Sequence, residues 1–105
     1  MAVYNKAIRD KIPEIIKDSG YDCNVEKLDD SEFLAKLEEK LHEELEEYEQ
    51  SKSVEELADI LEVIFRISEL RGTSKDGLEQ LRGKKAQERG GFKENLFLVD
   101  TTKSD

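Results

Sequence analysis

Apolar residues recur at spacings of three and four along two long stretches of the chain, the period of an amphipathic helix. The first stretch opens at Asp30-Ser31 and carries Leu34, Leu37, Leu41, Leu45 and Tyr48 to about Gln50. The second runs from Val54 to about Arg71, where Gly72 stops it. Its apolar face holds Leu57, Ile60, Leu61, Ile64, Phe65 and Ile67, with Val63 extending it to one side. Between the two lies only Gln50-Ser51-Lys52-Ser53, room for a tight turn and nothing more, so the helices are expected to fold back antiparallel.

Two shorter helices flank this hairpin. Asp10 is placed to cap the first, Pro13 is tolerated in its first turn, and Gly20 closes it. The last runs from about Lys75 to Arg89 and ends at Gly90-Gly91. Gly77 and Gly83 weaken it by roughly 1 kcal/mol each relative to Ala. Residues 22–29 have no helical period, and Val25 and Leu28 suggest a short extended segment. The tail from Phe92 to Val99 is apolar enough to pack as an arm, paired with the segment near Val25. Extended stretches are therefore expected near residues 23–28 and 95–99, and residues 100–105 are polar and expected to fray. The pattern predicts an all-α fold of four helices in a single domain, 1–105.

Composition narrows the function. Of the 105 residues 41% are charged and 36% hydrophobic, and the net charge is -9. Duplex nucleic acid and anionic membrane are poor partners for such a surface. No apolar run approaches the ~20 residues of a membrane span, and the opening residues lack the apolar core of a signal peptide. Cys23 is alone and has no internal disulfide partner, which fits a reduced, cytoplasmic setting.

The placement of the acids carries more information. At about 100° per residue, Glu44 lies about 60° and Glu47 about 120° to one side of Leu41, flanking the apolar stripe. Glu39, Glu43 and Glu46 fall near the opposite, wet face. On the second helix Glu56 lies between Ile67 and Val63 inside the apolar arc, and Asp59 sits just beyond Val63, while Glu55, Glu62 and Glu69 face outward. By this projection no Lys or Arg falls on the inner flanks. Folding the hairpin brings Glu44 and Glu47 toward Glu56 and Asp59. Carboxylates converging without a base form an oxygen-only divalent-cation site, favouring magnesium or manganese. Two plainer readings compete with it. Ser53-Val54-Glu55-Glu56 has the spacing of a capping box, and Glu39 to Glu49 could be a solvated acidic run. A dinuclear iron site is rejected, because Glu39 and His42 both point away from the apolar stripe.

The bases gather at the ends: Lys6, Arg9 and Lys11 near the start, Arg82, Lys84, Lys85 and Arg89 near the end. They either offset the acidic helices or form a phosphate clamp at the rim of the cation site.

At this point the residues resemble a family. Tyr4-Asn5-Lys6-Ala7-Ile8-Arg9-Asp10-Lys11-Ile12-Pro13, the Glu-Glu-x-x-Glu step Glu43-Glu44-Leu45-Glu46-Glu47, the Glu-x-x-Asp step Glu56-Leu57-Ala58-Asp59, and the ending Lys85-Ala86-Gln87-Glu88-Arg89-Gly90-Gly91-Phe92 resemble the MazG-like, all-α nucleoside triphosphate pyrophosphohydrolases. The likeness is to their small single-domain, phosphoribosyl-ATP pyrophosphohydrolase-like branch, described as house-cleaning enzymes. It spans about residues 4 to 98, departing at Ala7, where the branch carries a larger aliphatic. It implies a four-helix bundle and magnesium-dependent hydrolysis of a non-standard nucleoside triphosphate to monophosphate and pyrophosphate. Glu44, Glu47, Glu56 and Asp59 inherit the metal-ligand roles. Glu43 is left with three roles open: meeting a second subunit, orienting a water as general base, or none. Lys6, Arg9, Lys11, Lys85 and Arg89 are the candidate phosphate contacts. The family commonly dimerises, and the wide apolar arc on residues 54–67 independently asks for more cover than one neighbouring helix gives. The rival reading is a non-catalytic acidic helical module that binds a basic partner.

Overall fold

The computed structural model describes residues 1–104, and among them the only regular elements are four helices: α1 (Ile12–Asp18), α2 (Asp30–Ser51), α3 (Val54–Leu70) and α4 (Lys75–Arg89). The fold is all-α. The helix ends follow local chemistry. Asp29 caps α2, its Oδ1 accepting the Glu32 amide at 2.8 Å, and those hydrogen bonds hold the Asp29 carboxyl below its ordinary range. Lys52 turns the corner in the left-handed region at φ 56°, its amide donating to the Tyr48 carbonyl at 2.7 Å. Ser53 and Ser74 cap α3 and α4. Pro13 stands in the first turn of α1, but the cap there is Lys11 with no side-chain bond, so Asp10 does not cap it.

α2 and α3 pack side by side as the expected antiparallel hairpin, and α4 returns against α3. Lys75 Nζ sits 4.6 Å from the centre of the Phe65 ring at that junction, and Arg71 bonds Glu38 at 2.7 Å between α3 and α2. The core is small: Ala7, Leu37 and Val63 are buried together, with Phe33, Leu41, Ile67 and Leu70 packed around them. The small side chain at position 7 therefore lies against the hairpin. It brings the segment before α1 down onto α2 and α3.

Two expectations about faces need correction. On α2 the inward line runs through Phe33, Leu37 and Glu44, turned by about 50° from Leu41 toward Glu44. On α3 it runs through Glu56, Ile60, Val63 and Ile67, turned by about 90° from Leu57. Both rotations have one cause. The chain covers only part of each wide apolar face, and Ala7 packs on the covered part with Leu37 and Val63. Leu45, Leu57 and Leu61 are left exposed.

No strand occurs among the described residues. Residues 22–29 run without helix or strand, and Val25 is exposed. The tail does not pack against it: Phe92 and Leu96 to Val99 are all exposed. With neither segment held on the hairpin, neither has a partner to pair with. Among the described residues no helix is long and apolar enough to cross a membrane.

Candidate functional site

The carboxylates of Glu43, Glu44 and Glu47 each offer an oxygen within 4.8 Å of the others, and so do those of Glu44, Glu56 and Asp59. Glu44 belongs to both groups and links them. The hairpin accounts for this placement. Glu44 and Glu47 stand on successive turns near the end of α2, and Glu56 and Asp59 on successive turns near the start of α3. A short corner at Lys52-Ser53 sets the two pairs side by side.

Glu44 is buried, with 7% of its surface exposed. Its Oε2 and the Oε2 of the half-buried Glu56 are both shut off from solvent with no hydrogen-bond partner. Burial is the first cause pushing the Glu44 carboxyl above its ordinary range, the neighbouring Glu47 charge adds to it, and Lys40 opposes it. The Glu56 carboxyl is pushed up by desolvation first, then by Glu47, Glu44 and Asp59.

These shifts give the site a pH signature. A carboxyl raised in the folded chain holds its proton more tightly folded than unfolded, so it favours folding below 4.5, the ordinary glutamate value, and that contribution is lost as pH rises through the raised value. In chelator, the melting temperature is expected to fall as pH climbs from 4.5 toward neutrality, and Glu44→Gln and Glu56→Gln are expected to flatten that slope. Melting curves across this range, for the parent and both variants, check it.

The capping-box alternative for Glu56 is not realised. The Ser53 hydroxyl accepts the Glu55 amide at 3.1 Å, while the Ser53 amide, which Glu56 would have to engage, donates to Ser51 Oγ at 3.2 Å. Glu56 is left turned toward the other acids.

The expectation that no base reaches the inner flank is overturned. Lys40 Nζ lies 3.5 Å from Glu44 Oε1, with both side chains largely buried. Arg9 bonds Asp59 at 2.7 Å and Lys6 bonds Glu43 at 3.4 Å. Glu43 is thereby half-buried rather than on a wet face, because the segment before α1 covers that side of α2. The Lys40–Glu44 pair was legible as an i,i+4 step. The contacts from Lys6 and Arg9 bridge 37 and 50 residues of sequence and have no local signature. The wet-face assignments of Glu55, Glu62 and His42 hold, all three being exposed.

Lys6, Ile8, Arg9, Ile12, Lys40, Glu44 and Asp59 line a cleft of about 240 Å³. It has an acidic floor, basic walls and an aliphatic edge. Lys11, Lys85 and Arg89 are exposed, and within the chain they form no ion pair with the described residues. Three candidate phosphate contacts thus neither pair with the acids nor line the cleft, while Lys6 and Arg9 do both.

Oxygen donors only, two of them buried and unpartnered, match the ligand chemistry of a hard divalent cation. Compared with known proteins, the chain matches no family model, no curated protein and no solved structure.

Proposed function

We propose that the chain is a magnesium-dependent nucleoside triphosphate pyrophosphohydrolase, releasing a monophosphate and pyrophosphate, with manganese as an alternative ion. The observation that carries this is Glu44: a buried carboxylate whose second oxygen has no partner, at the meeting point of Glu43, Glu47, Glu56 and Asp59. Lys40, Arg9 and Lys6 set three positive charges against five carboxylates, and among the described residues none of them pairs with Glu47 or Glu56. A buried anion left unpaired costs several kcal/mol, which a bound cation would offset. The MazG-like motifs on these same residues supply the substrate class, and the house-cleaning branch supplies the preference for a non-standard base.

Glu44, Glu47, Glu56 and Asp59 would hold the ion. When bound, it supplies charge neutralisation on the triphosphate and polarises the attacking water. The protein residues do the rest. Lys6 and Arg9, at the wall of the cleft, exchange their carboxylate partners for phosphate oxygens once the acids are engaged elsewhere. Ile8 and Ile12 keep one edge of the cleft apolar and limit water there. Glu43 is held by Lys6 and is freed to accept a proton when Lys6 turns to phosphate. The cleft, about 240 Å³, is below the roughly 300–1,000 Å³ of whole-ligand pockets, so a whole nucleotide would not be enclosed in it.

Arg9→Ala is expected to raise KM several-fold with a smaller loss of kcat, because a phosphate contact present in ground and transition state acts on binding. Lys85→Ala and Arg89→Ala are expected to leave both constants near the parent's. Steady-state pyrophosphate release for the three variants checks this.

The functional unit we propose is a homo-oligomer, most simply a dimer. A folded monomer of 12.1 kDa is expected to expose about 6,000 Å², whereas this chain exposes 9771 Å². Its radius of gyration is 18.8 Å against about 13 Å for a compact chain of this length. Leu45, Val54, Leu57 and Leu61 are open apolar positions on the hairpin. Light scattering at micromolar concentration should give at least twice the chain mass, and a folded monomer there would remove the claim.

The rival reading, an acidic interaction module, draws on the exposed acids Glu39, Glu46, Glu55 and Glu62. Millimolar magnesium separates the two. It raises the melting temperature of the proposed enzyme and leaves a basic-partner adaptor unchanged. Incubation with a panel of standard and damaged nucleoside triphosphates, with pyrophosphate and orthophosphate measured separately, tests the activity itself.

A further inference from the structure

The C-terminal segment has a composition at odds with its surroundings. Phe92, Leu96, Phe97, Leu98 and Val99 are between 76 and 99% exposed. Four of the five are consecutive. The chain turns at residues 92–95, with Asn95 at φ 55°, and an extended course beyond it would put Leu96 and Leu98 on one side and Phe97 and Val99 on the other. A segment apolar on both sides is one that is covered on both sides. Nothing in its own chain covers either.

A second feature lacks a partner. At the junction of α3 and α4, Leu41, Ile64, Ile67, Leu78 and Leu81 line an apolar cleft of about 300 Å³. It lies beside the N-terminal half of α4, whereas the tail leaves from the other end of that helix. The chain is 69 Å long in its greatest extent, about twice the ~33 Å of its longest helix, and the exposed C-terminal tail is not folded back over the hairpin.

The area decides between occupants. The exposure of 9771 Å² exceeds the monomer expectation by about 3,700 Å². Obligate dimer interfaces of 2,000–5,000 Å² and above remove about 1,000–2,500 Å² or more from each partner. A contact through the half-exposed Leu57 and Leu61 alone leaves most of that excess in place, and the exposed apolar tail is the next surface a larger interface would take in.

We infer that residues 92–99 are an exchanged arm, which seats one apolar side in the cleft between α3 and α4 of a second copy and is covered on its other side by the interface itself. The inference rests on the reading that the chain self-associates, and it is independent of the proposed chemistry. An arm of this kind makes each copy contribute to the other's core, which here is too small to bury its own helices.

Disulfide trapping on the full chain tests it. In a Cys23→Ser background, one chain carries Leu98→Cys and the other Leu81→Cys, at the cleft's half-exposed rim. Each is mixed with the other through a denaturation and refolding cycle and oxidised mildly, then read by mass spectrometry. A mixed disulfide dimer as the main product, far above either chain alone, is expected. A chain carrying both cysteines that links to itself at high dilution would overturn the exchange, because the arm would then serve its own cleft. Absence of either link in a protein that light scattering finds dimeric would overturn the arm alone and leave the dimer standing. A folded monomer would overturn both.

Discussion

Glu44→Gln, Glu47→Gln, Glu56→Gln and Asp59→Asn should each lower magnesium-dependent pyrophosphate release by about a hundredfold or more. Each change removes one charge and much of its ligand strength while keeping shape. If one ligand's charge is worth roughly 3 kcal/mol in the transition state, the loss is about two powers of ten. Glu55→Gln and Glu62→Gln, exposed on the same α3, are the controls and should stay near the parent's rate. A purely structural role for Glu56 gives the opposite pattern, since Gln would fit a capping position as well as Glu. Activity retained at two or more of the four positions would remove the site and the enzyme reading with it.

The same variants should behave differently when no metal is present. Glu56 has an unpartnered buried oxygen and no base bonded to it, so Glu56→Gln removes a repulsive charge and gives up nothing. In chelator at neutral pH its melting temperature is expected to rise by on the order of a few degrees. Glu44→Gln relieves the same repulsion but leaves Lys40 without its carboxylate, so its melting temperature should stay close to the parent's. Asp59→Asn surrenders the exposed Arg9 bond, an interaction worth about 0–1 kcal/mol, and should also change little. Activity lost with apo stability kept or raised distinguishes ligands from structural residues. A drop in melting temperature at Glu56 would show that its carboxylate supports the fold.

Most of the fold was legible because its signals are local. The period of leucines on α2, the short corner before Ser53, and Gly72 and Gly90 after their helices mark three of the four elements within a residue or two. The acids too were legible, since their angles on each helix need only a count of residues. What the period does not determine is the rotation of a helix whose apolar face is wider than one neighbour covers. The covered part is the one on which Ala7, a small residue from outside the hairpin, packs with Leu37 and Val63. The same tertiary contact brings Lys6 and Arg9 onto the acids, so the expectation of a base-free cluster failed for a non-local reason. The tail misled because its apolar character is real, but among the described residues nothing covers it.

The direct test of the cation site is equilibrium binding of manganese to the metal-free protein, followed by the paramagnetic signal of the free ion, for the parent and for Glu44→Gln. Glu44 is the residue common to both carboxylate groups, so its charge should matter more than any other. The parent should bind manganese in the sub-millimolar range, and Glu44→Gln should weaken that binding at least tenfold while remaining folded. No binding by the parent at millimolar ion, or equal binding by both proteins, would contradict a metal site at Glu44.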